Sequence, residues 1–471
     1  MTSRASIPPS SIPDPLIAIA RAVRARGGRA LVVGGWVRDR LLGLESKDFD
    51  LEVYGLQLAA LEETLSGFGE VIAVGRSFGV LRVKGIDGDI SIPRRDSKAG
   101  RGHRGFIAEL DPTLGYAEAA RRRDLTINAI AFDPLTGEVI DPLGGREDLA
   151  RRVLRAACPE RFAEDPLRAL RVAQFRARLE MEPDSELREL CSRIDLYDLP
   201  GERIQEELKK LLLRARRPSL GLEFLRETGL LRFFPELHAM VGVPQEGEWH
   251  PEGTVWEHTL LAVDEAAAAR TGRDEEDLLV LLAALCHDAG KPETTEVAGG
   301  RVRSIGHEEA GARIARSFLL RLRFPLEVVV KVCALVRYHM VPLNLYAGQS
   351  SDKAFRRLGR KLAKVGISPR LVYAVARADH LGRKTPDALA RTFPVGDAFI
   401  QRFETLESAE GRPKDAVQGR HLVERGYEPS PWFGEVLETC REVQDETGWN
   451  DPKRILDEAL RRVPPPDEPR P

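Results

Sequence analysis

The sequence predicts an α+β protein in which a small mixed sheet with helices is followed by several all-helical modules. Three observations carry this. Short β-rich runs (ALVVGG, FDLEV, GVLRVKG, GDISI) are confined to residues 28–155, where they alternate with helical patches. After RVLRA (152–156) the strand signals stop. From about residue 160 onward, apolar residues recur at helical spacing, as in DPLRALRVAQFRARL and IQEELKKLLLRARR.

The elements follow in order. Residues 1–27 open with the Ser/Pro-rich MTSRASIPPSSIPDP and are expected to form a flexible N-terminal segment. Residues 28–155 form the α/β head and 156–245 a helical neck and body. The Gly/Pro-rich VPQEGEWHPEG (243–253) is the best linker candidate. A second helical unit spans 250–395, and 396–471 form a C-terminal helical tail ending in VPPPDEPRP. At 471 residues, a count of about three domains is the natural expectation.

Bulk composition narrows the function classes. The chain is 42% hydrophobic and 31% charged, with a formal net charge of −2, so no overall field draws it onto nucleic acid and such binding must use local basic faces. Its five cysteines are scattered without a CxxC pair, which argues against a disulfide frame or zinc knuckle. No apolar run is long enough to span a bilayer and the N-terminus has no apolar leader core, so a cytoplasmic protein without membrane contact is expected. No obligate protein partner is evident.

The densest chemistry lies in LVVGGWVRDRLLGLESKDFDLEV (31–53). Two glycines after a strand permit a tight turn and close backbone approach, and Arg38 follows within the next helix, where it would add a charge-assisted contact to a triphosphate. Asp48 and Asp50 are i and i+2 on a strand, so their carboxylates share a face while Phe49 turns to the core. Such a pair repels itself unless a cation lies between, and Mg²⁺ suits few carboxylates plus phosphate oxygens. Read alone, the pair equally suits two solvent-facing acids on an edge strand. Asp89, in GDISIPRR, is a candidate third acid.

GGWVRD…KDFD resembles the nucleotidyltransferase signature of the bacterial-type (class II) tRNA nucleotidyltransferases and their poly(A) polymerase relatives. RRRDLTINAIAFDPLTGEVIDPLGGREDL (121–149) is similar to that family's ribose-binding segment and the one after it, and FAEDPLRALR (162–171) to its template segment. The resemblance implies a polymerase-β-like head with Mg²⁺ and attack of an RNA 3′-OH on the α-phosphate of CTP or ATP. It implies that Gly35 and Arg38 meet the triphosphate, that Asp48 and Asp50 hold metal, and that Arg123 and Asp124 contact the ribose with Asn128 nearby. On a helix, Asp165 and Arg168 would be i,i+3 neighbours with Arg171 a turn further. A carboxylate accepts from the amino group of C or A and repels the carbonyl oxygen of U or G, so the resemblance implies that a fixed Asp–Arg pair selects C and A without a template strand. Read without it, the pair is an ordinary helix-surface ion pair worth little. Gln174 stands where many relatives carry another arginine. Lys209, Lys210, Arg214, Arg216 and Arg217 (206–217 region) are placed to track tRNA phosphates or to form a solvated basic face. In segment 95–120, where the family has a flexible loop governing the C-to-A switch, stand Arg101, Arg104 and Asp111.

A second constellation comprises His258, His287, Asp288 and Asp379, in TVWEHTLLAVDEA, LAALCHDAGK and ARADHLGR. Neutral imidazoles and carboxylates suit a divalent metal. The H…HD…D order resembles the HD phosphohydrolase superfamily, which implies a metal-activated water attacking a phosphoester, with Mg²⁺, Mn²⁺, Ni²⁺ or Co²⁺ as the ion. His307 and His339 fall where some HD members place ligands for a second metal, and Lys291 is placed to aid phosphate binding. The leading expectation is a CTP/ATP:tRNA nucleotidyltransferase that adds the 3′-CCA, with an HD phosphohydrolase or phosphodiesterase activity. A poly(A) polymerase or a CC-only or A-only enzyme, and an HD phosphohydrolase with an RNA-binding head, are the alternatives.

Overall fold

The computed structural model describes residues 7, 11–46, 49–75, 79–98, 106–347, 349–410 and 415–465. Asp48, Arg101 and Arg104 lie outside the described residues. The chain divides into two compact units, Met1–His238 and Ala239–Pro471. No described helix is long and apolar enough to cross a membrane.

The first unit is built on a seven-stranded mixed sheet. Its strands are β1 (Arg29–Val33), β2 (Asp50–Tyr54), β3 (Val71–Gly75), β4 (Val80–Val83), β5 (Asp89–Ser91), β8 (Ala131–Phe132) and β9 (Val139–Ile140), while β6 (Arg94–Lys98) and β7 (Phe106–Leu110) form a separate antiparallel pair. The sheet order is β3-β4-β5-β2-β1-β8-β9. Only β2 and β5 pair in parallel within it, with Asp50 opposite Asp89, and the other pairings are antiparallel. β1 is buried along Ala30–Val33, as expected of a central strand with both faces covered.

The N-terminal segment is not simply flexible. Helix α1 (Asp14–Ala25) buries Leu16, Ile19, Ala20 and Val23. These are i, i+3, i+4 and i+7, the single apolar stripe with which a helix packs onto a sheet, here beside β1. Helix α2 (Gly35–Leu41) follows β1 directly, and its Trp36 is fully buried with its ring 5.1 Å from Phe49 and 6.3 Å from Phe132. That aromatic cluster sits beneath the Gly34–Gly35 turn and carries Phe49 into the core as expected.

Beyond the head, the helices Leu167–Leu179, Ser185–Ser192, Gly201–Arg214 and Pro218–Glu227 form the neck. Strand structure does not end at residue 156, however. Val153–Leu154 pairs in parallel with Glu182–Pro183, and an antiparallel hairpin joins Thr295–Ala298 to Arg301–Ser304 in the second unit. Both are too short for a periodic signal, and the hairpin's apolar content is diluted by Glu296, Arg301 and Arg303.

The second unit is mostly helical. Val255–Ala268, Asp274–Cys286, His307–Arg321, Leu326–Tyr338 and Pro369–Leu381 enclose its centre. Leu278 to Cys286 is buried at every position, so Asp274–Cys286 is the interior helix of this unit. The tail helices Gly419–Val423, Pro431–Thr447 and Pro452–Arg462 close a separate small core around Leu422, Val436, Val443 and Ile455.

Candidate nucleotide pocket and candidate metal centre

In the first unit a cavity of about 1210 Å³ is lined by Gly34, Gly35, Arg38, Asp50, Arg123, Asp124, Asn128, Asp165, Arg168, Arg171, Arg203 and Lys210, among others. Three sequence segments far apart along the chain therefore meet at one place. Gly34 adopts φ 76°, the left-handed region that favours glycine. A Cβ there would lie 3.5 Å from Asp50 Oδ2 and 3.4 Å from an Arg123 guanidinium nitrogen, which puts the turn, the acid and the arginine in contact.

Asp50 and Asp89 stand side by side in the β2–β5 register, and Asp89 is paired with Arg82. Glu52, two residues beyond Asp50 and therefore on the same face, is buried, accepts from Tyr54 Oη at 2.7 Å and lies 3.7 Å from Arg123. Burial works against the Arg123 charge, but Glu52, Tyr116, Asp50 and Tyr54 around it together outweigh that effect and raise its pKa.

The cavity floor is a connected polar network. Arg38, 3% exposed, donates to Asp39 at 2.8 Å and to Asn128 Oδ1 at 2.6 Å. Asn128 donates to Asp124 Oδ1 at 2.9 Å, and Arg171 donates to Asp124 Oδ2 at 2.6 Å. Burial would raise the Asp124 carboxyl, yet Arg171 and Asn128 hold it down to about 2. Arg178 pairs with Asp39 at 3.0 Å from the far side, and the Arg38 and Arg171 guanidiniums lie 5.0 and 5.4 Å from the Phe175 ring centre.

The Asp165–Arg168 geometry differs from the sequence expectation. Asp165 is not in the helix: Leu167–Leu179 starts after Pro166, and Asp165 is extended at φ −119°, ψ 103°. A residue before proline is disfavoured in the α region, which explains the break. Its carboxylate is gripped in a two-pronged contact by Arg203 at 3.1 and 3.0 Å, whereas Arg168 donates to the carbonyls of Arg161 and Arg122 at 2.7 and 2.9 Å. Arg203 and Glu52 were missed in the sequence, where each reads as one more charged residue; Arg203 is in the first turn of Gly201–Arg214.

Of the basic residues on that helix, Lys209 pairs with Glu206 and Lys210 with the buried Glu207. Lys210 also lines the cavity. Arg214, Arg216 and Arg217 are exposed at the helix's C-terminal end. Asp111 is tied by Arg95 at 2.9 Å and by the Thr113 backbone at 3.0 Å, at the base of the β6–β7 pair.

The second unit gathers all six of its predicted residues. His258, His287, Asp288, Asp379, His307 and His339 are each at most 8% exposed. Two close backbone approaches bring them together. A Cβ on Gly290 would lie 2.1 Å from the His307 carbonyl oxygen, and one on Gly382 would lie 2.8 Å from the Ala262 nitrogen. The first sets Asp288 against His307, and the second sets Asp379 against His258.

Each imidazole is anchored through Nδ1: His287 on the Ala284 carbonyl at 2.8 Å, His307 on that of Ser304 at 2.8 Å, His339 on that of Val336 at 2.6 Å, and His258 on Glu252 at 2.7 Å. All four Nε2 atoms are thereby turned inward. His258 Nε2 is 3.1 Å from Asp379, His287 Nε2 3.3 Å from Asp288, and His307 Nε2 lies 3.5 Å from Asp288 and 3.3 Å from His339 Nε2. His287 Nε2 is buried without a hydrogen bond, as is Asp288 Oδ2 despite Lys291 Nζ at 2.8 Å. Orphaned inward-facing nitrogen and oxygen donors are what a cation would satisfy. The described residues offer three groups able to hold a metal, His250/Glu252/His258, His258/His287/Asp379 and Asp288/His307/His339. The last two hold the inward-facing atoms, and their mixed donor set fits a divalent ion.

Without a cation between them, Asp288 and Asp379 raise the His287 pKa against the effect of burial. Burial and the neighbouring imidazoles hold His339 down at about 3, hence neutral. Against the effect of burial, His287 and Lys291 hold Asp288 well below the usual range, and Arg383 and His258 do so for Asp379. Residues 243–253, expected as a linker, are instead folded onto this centre. Gln245 accepts from Lys291 at 2.7 Å, Glu246 from the Val302 backbone at 3.0 Å, and Glu252 from His258. Glycine and proline mark a rigid strap as readily as a linker, and the signal that separates them here is HPE, a His and a Glu two residues apart.

Comparison with known proteins agrees with this layout. Residues 30–155 match the poly A polymerase head domain, 181–241 the probable RNA and SrmB-binding site of polymerase A, and 255–384 the HD domain. The multifunctional CCA protein of Xanthomonas campestris is 38% identical over 421 residues, spanning 87% of this chain and 96% of that one. The multifunctional CCA protein of Aromatoleum aromaticum is 40% identical over 318 residues, 66% of this chain and 74% of that one. Among solved structures, the Bacillus stearothermophilus CCA-adding enzyme in complex with CTP superposes with TM-score 0.64 at 22% identity over 96% of this chain and 98% of that one. The Thermotoga maritima CCA-adding enzyme complexed with tRNA superposes with TM-score 0.57 at 17% identity over 96% of this chain and 97% of that one. The chain thus belongs to the multifunctional CCA protein family.

Proposed function

We propose that the first unit is a CTP/ATP:tRNA nucleotidyltransferase that builds or repairs the 3′-terminal CCA. The observation that carries this reading is the single cavity uniting Asp50, the Arg123–Asp124–Asn128 segment and the Asp165–Arg168–Arg171 segment. Asp50, with Asp48 and Asp89, would hold Mg²⁺, which would activate the tRNA 3′-OH and neutralise the leaving pyrophosphate. The Gly34–Gly35 turn and Arg123 receive the triphosphate and ribose, with Arg38 bracing Asn128 and Asp124 beneath. Asp165, oriented by Arg203, accepts the amino group of C or A and repels the carbonyl of U. Lys210 and the exposed Arg214 and Arg217 follow the RNA backbone. CTP, ATP and tRNA are met in the cytoplasm, where we place the protein.

The second unit is proposed to hydrolyse a phosphoester. His258, His287, Asp288 and Asp379 would hold one divalent ion, with His307 and His339 completing a second position; Mg²⁺, Mn²⁺, Ni²⁺ and Co²⁺ all suit the donors. Such an ion would lower the pKa of a bound water, and Lys291 and Arg383 sit beside the carboxylates to receive the phosphate. Point variants separate the activities. Asp50→Ala should abolish nucleotide incorporation into tRNA while His287→Ala retains it, and phosphate release from a 2′,3′-cyclic phosphate end should be lost in Asp288→Ala. Incorporation surviving Asp50→Ala contradicts the first assignment, and hydrolysis surviving Asp288→Ala contradicts the second.

A further inference from the structure

We infer that Glu252 is a positioning residue of the second centre, fixing the tautomer and orientation of His258 so that its position binds metal more tightly than the other. The inference rests on the reading of that centre as a metal site. Among the four inward-facing histidines, His258 is the one whose Nδ1 hydrogen-bonds a carboxylate; the other three bond neutral backbone carbonyls. His307 Nδ1 also has a carboxylate nearby, Glu308 at 3.5 Å, but its short contact is the Ser304 carbonyl at 2.8 Å. The Glu252 side chain is fully buried and accepts three hydrogen bonds: from His258 Nδ1 at 2.7 Å, His250 Nδ1 at 2.8 Å and the Lys384 backbone N–H at 3.1 Å.

An ionised carboxylate can only accept, so Nδ1 of His258 carries a proton, and in the neutral imidazole that metal ligation requires Nε2 is the atom presenting its lone pair. That lone pair faces Asp379 Oδ1 at 3.1 Å and Asp288 Oδ2 at 4.0 Å. In that form the three acceptors repel one another. Arg383 at 3.2 Å from Asp379 Oδ1 and Lys291 at 2.8 Å from Asp288 Oδ2 offset part of the repulsion from outside, and a cation between the three would offset the rest. A carboxylate behind a ligating imidazole also raises its basicity, which a backbone carbonyl does less strongly. Lys384 follows the helix that carries Asp379, so Glu252 clasps both ends of the His258/His287/Asp379 group. The clasp is itself held, since the strap is pinned through Gln245 to Lys291 and through Glu246 to Val302. His250, Glu252 and His258 satisfy one another and need no ion of their own.

The test titrates the full-length, metal-stripped protein with Mn²⁺ alone, reading free ion by electron paramagnetic resonance, and records the visible spectrum of the Co²⁺ form. Wild type should bind two ions. Glu252→Gln and Glu252→Ala should weaken one of the two by about 10- to 100-fold, Gln less than Ala, and should alter the Co²⁺ bands. Thr254→Ala removes the capping box of the same helix, Val255–Ala268, without touching His258; it should lower the melting temperature and leave Mn²⁺ affinity intact. Wild-type affinity in both Glu252 variants, or an equal loss in Thr254→Ala, overturns the positioning role. Failure of wild type to bind Mn²⁺ overturns the metal-centre reading itself, a result distinct from either.

Discussion

At the scale of single residues, the network under the nucleotide cavity makes two predictions. Arg203 holds the Asp165 carboxylate by both oxygens, so Arg203→Ala should free it and weaken discrimination between CTP and UTP by about 10- to 100-fold, the worth of one good bidentate contact. Competition between the two nucleotides on one tRNA measures this, and unchanged discrimination would remove Arg203 from base selection. Asp124 is depressed from 3.8 to about 2 in the folded state. A depressed carboxyl stabilises the fold above its unfolded pKa, and that contribution is lost as pH falls from 3.8 through about 2. It corresponds to about 2 kcal/mol. Asp124→Asn should therefore flatten the acid limb of the stability curve by that amount, as read from denaturant unfolding between about pH 5 and 2. Asp50, Asp124 and the histidines were legible in the sequence because their neighbours form ordered motifs. Arg203, Glu52 and Glu252 were not, since a lone charged residue acquires meaning only from what the fold sets against it.

At the scale of elements, the fold follows from local rules wherever an element is long enough to show a period. The buried strand β1, the interior helix Asp274–Cys286 and the helix Leu167–Leu179 all announce themselves. The exceptions have physical causes. Helix α1 was hidden by the Ser/Pro-rich residues before it, although Leu16, Ile19, Ala20 and Val23 already trace its buried stripe. The helix Leu167–Leu179 starts only after Pro166, and the residue before a proline is kept out of the α region, which leaves the Asp165 carboxylate off the helix face. The hairpin Thr295–Ser304 is too short and polar to register as strands. Gly290 illustrates the opposite case, a residue whose role is legible only in three dimensions. With its missing Cβ only 2.1 Å from the His307 carbonyl, Gly290→Ala should force apart two backbones, cost about 1–3 kcal/mol and reduce divalent-metal binding together with the melting temperature. A variant that melts lower but binds metal as wild type would show that this contact supports the fold without setting the centre.

At the scale of the whole molecule, the chain carries two chemically different candidate centres, one in each compact unit. Their order along the chain was visible because each resembles a known family through several motifs in sequence, not one. What was not visible is that the supposed linker at 243–253 belongs structurally to the second centre, so a truncated chain beginning at residue 255 should lose Glu252 and bind metal poorly. The central claim is that the first unit reads C and A from protein side chains alone. The most direct measurement supplies the purified full-length protein with Mg²⁺ and a tRNA that ends at the base preceding CCA, then resolves the products nucleotide by nucleotide. Two additions are expected with CTP alone, a third only when ATP is also present, and none with UTP. Long adenosine tracts with ATP alone, or extension with UTP at a comparable rate, would contradict that claim.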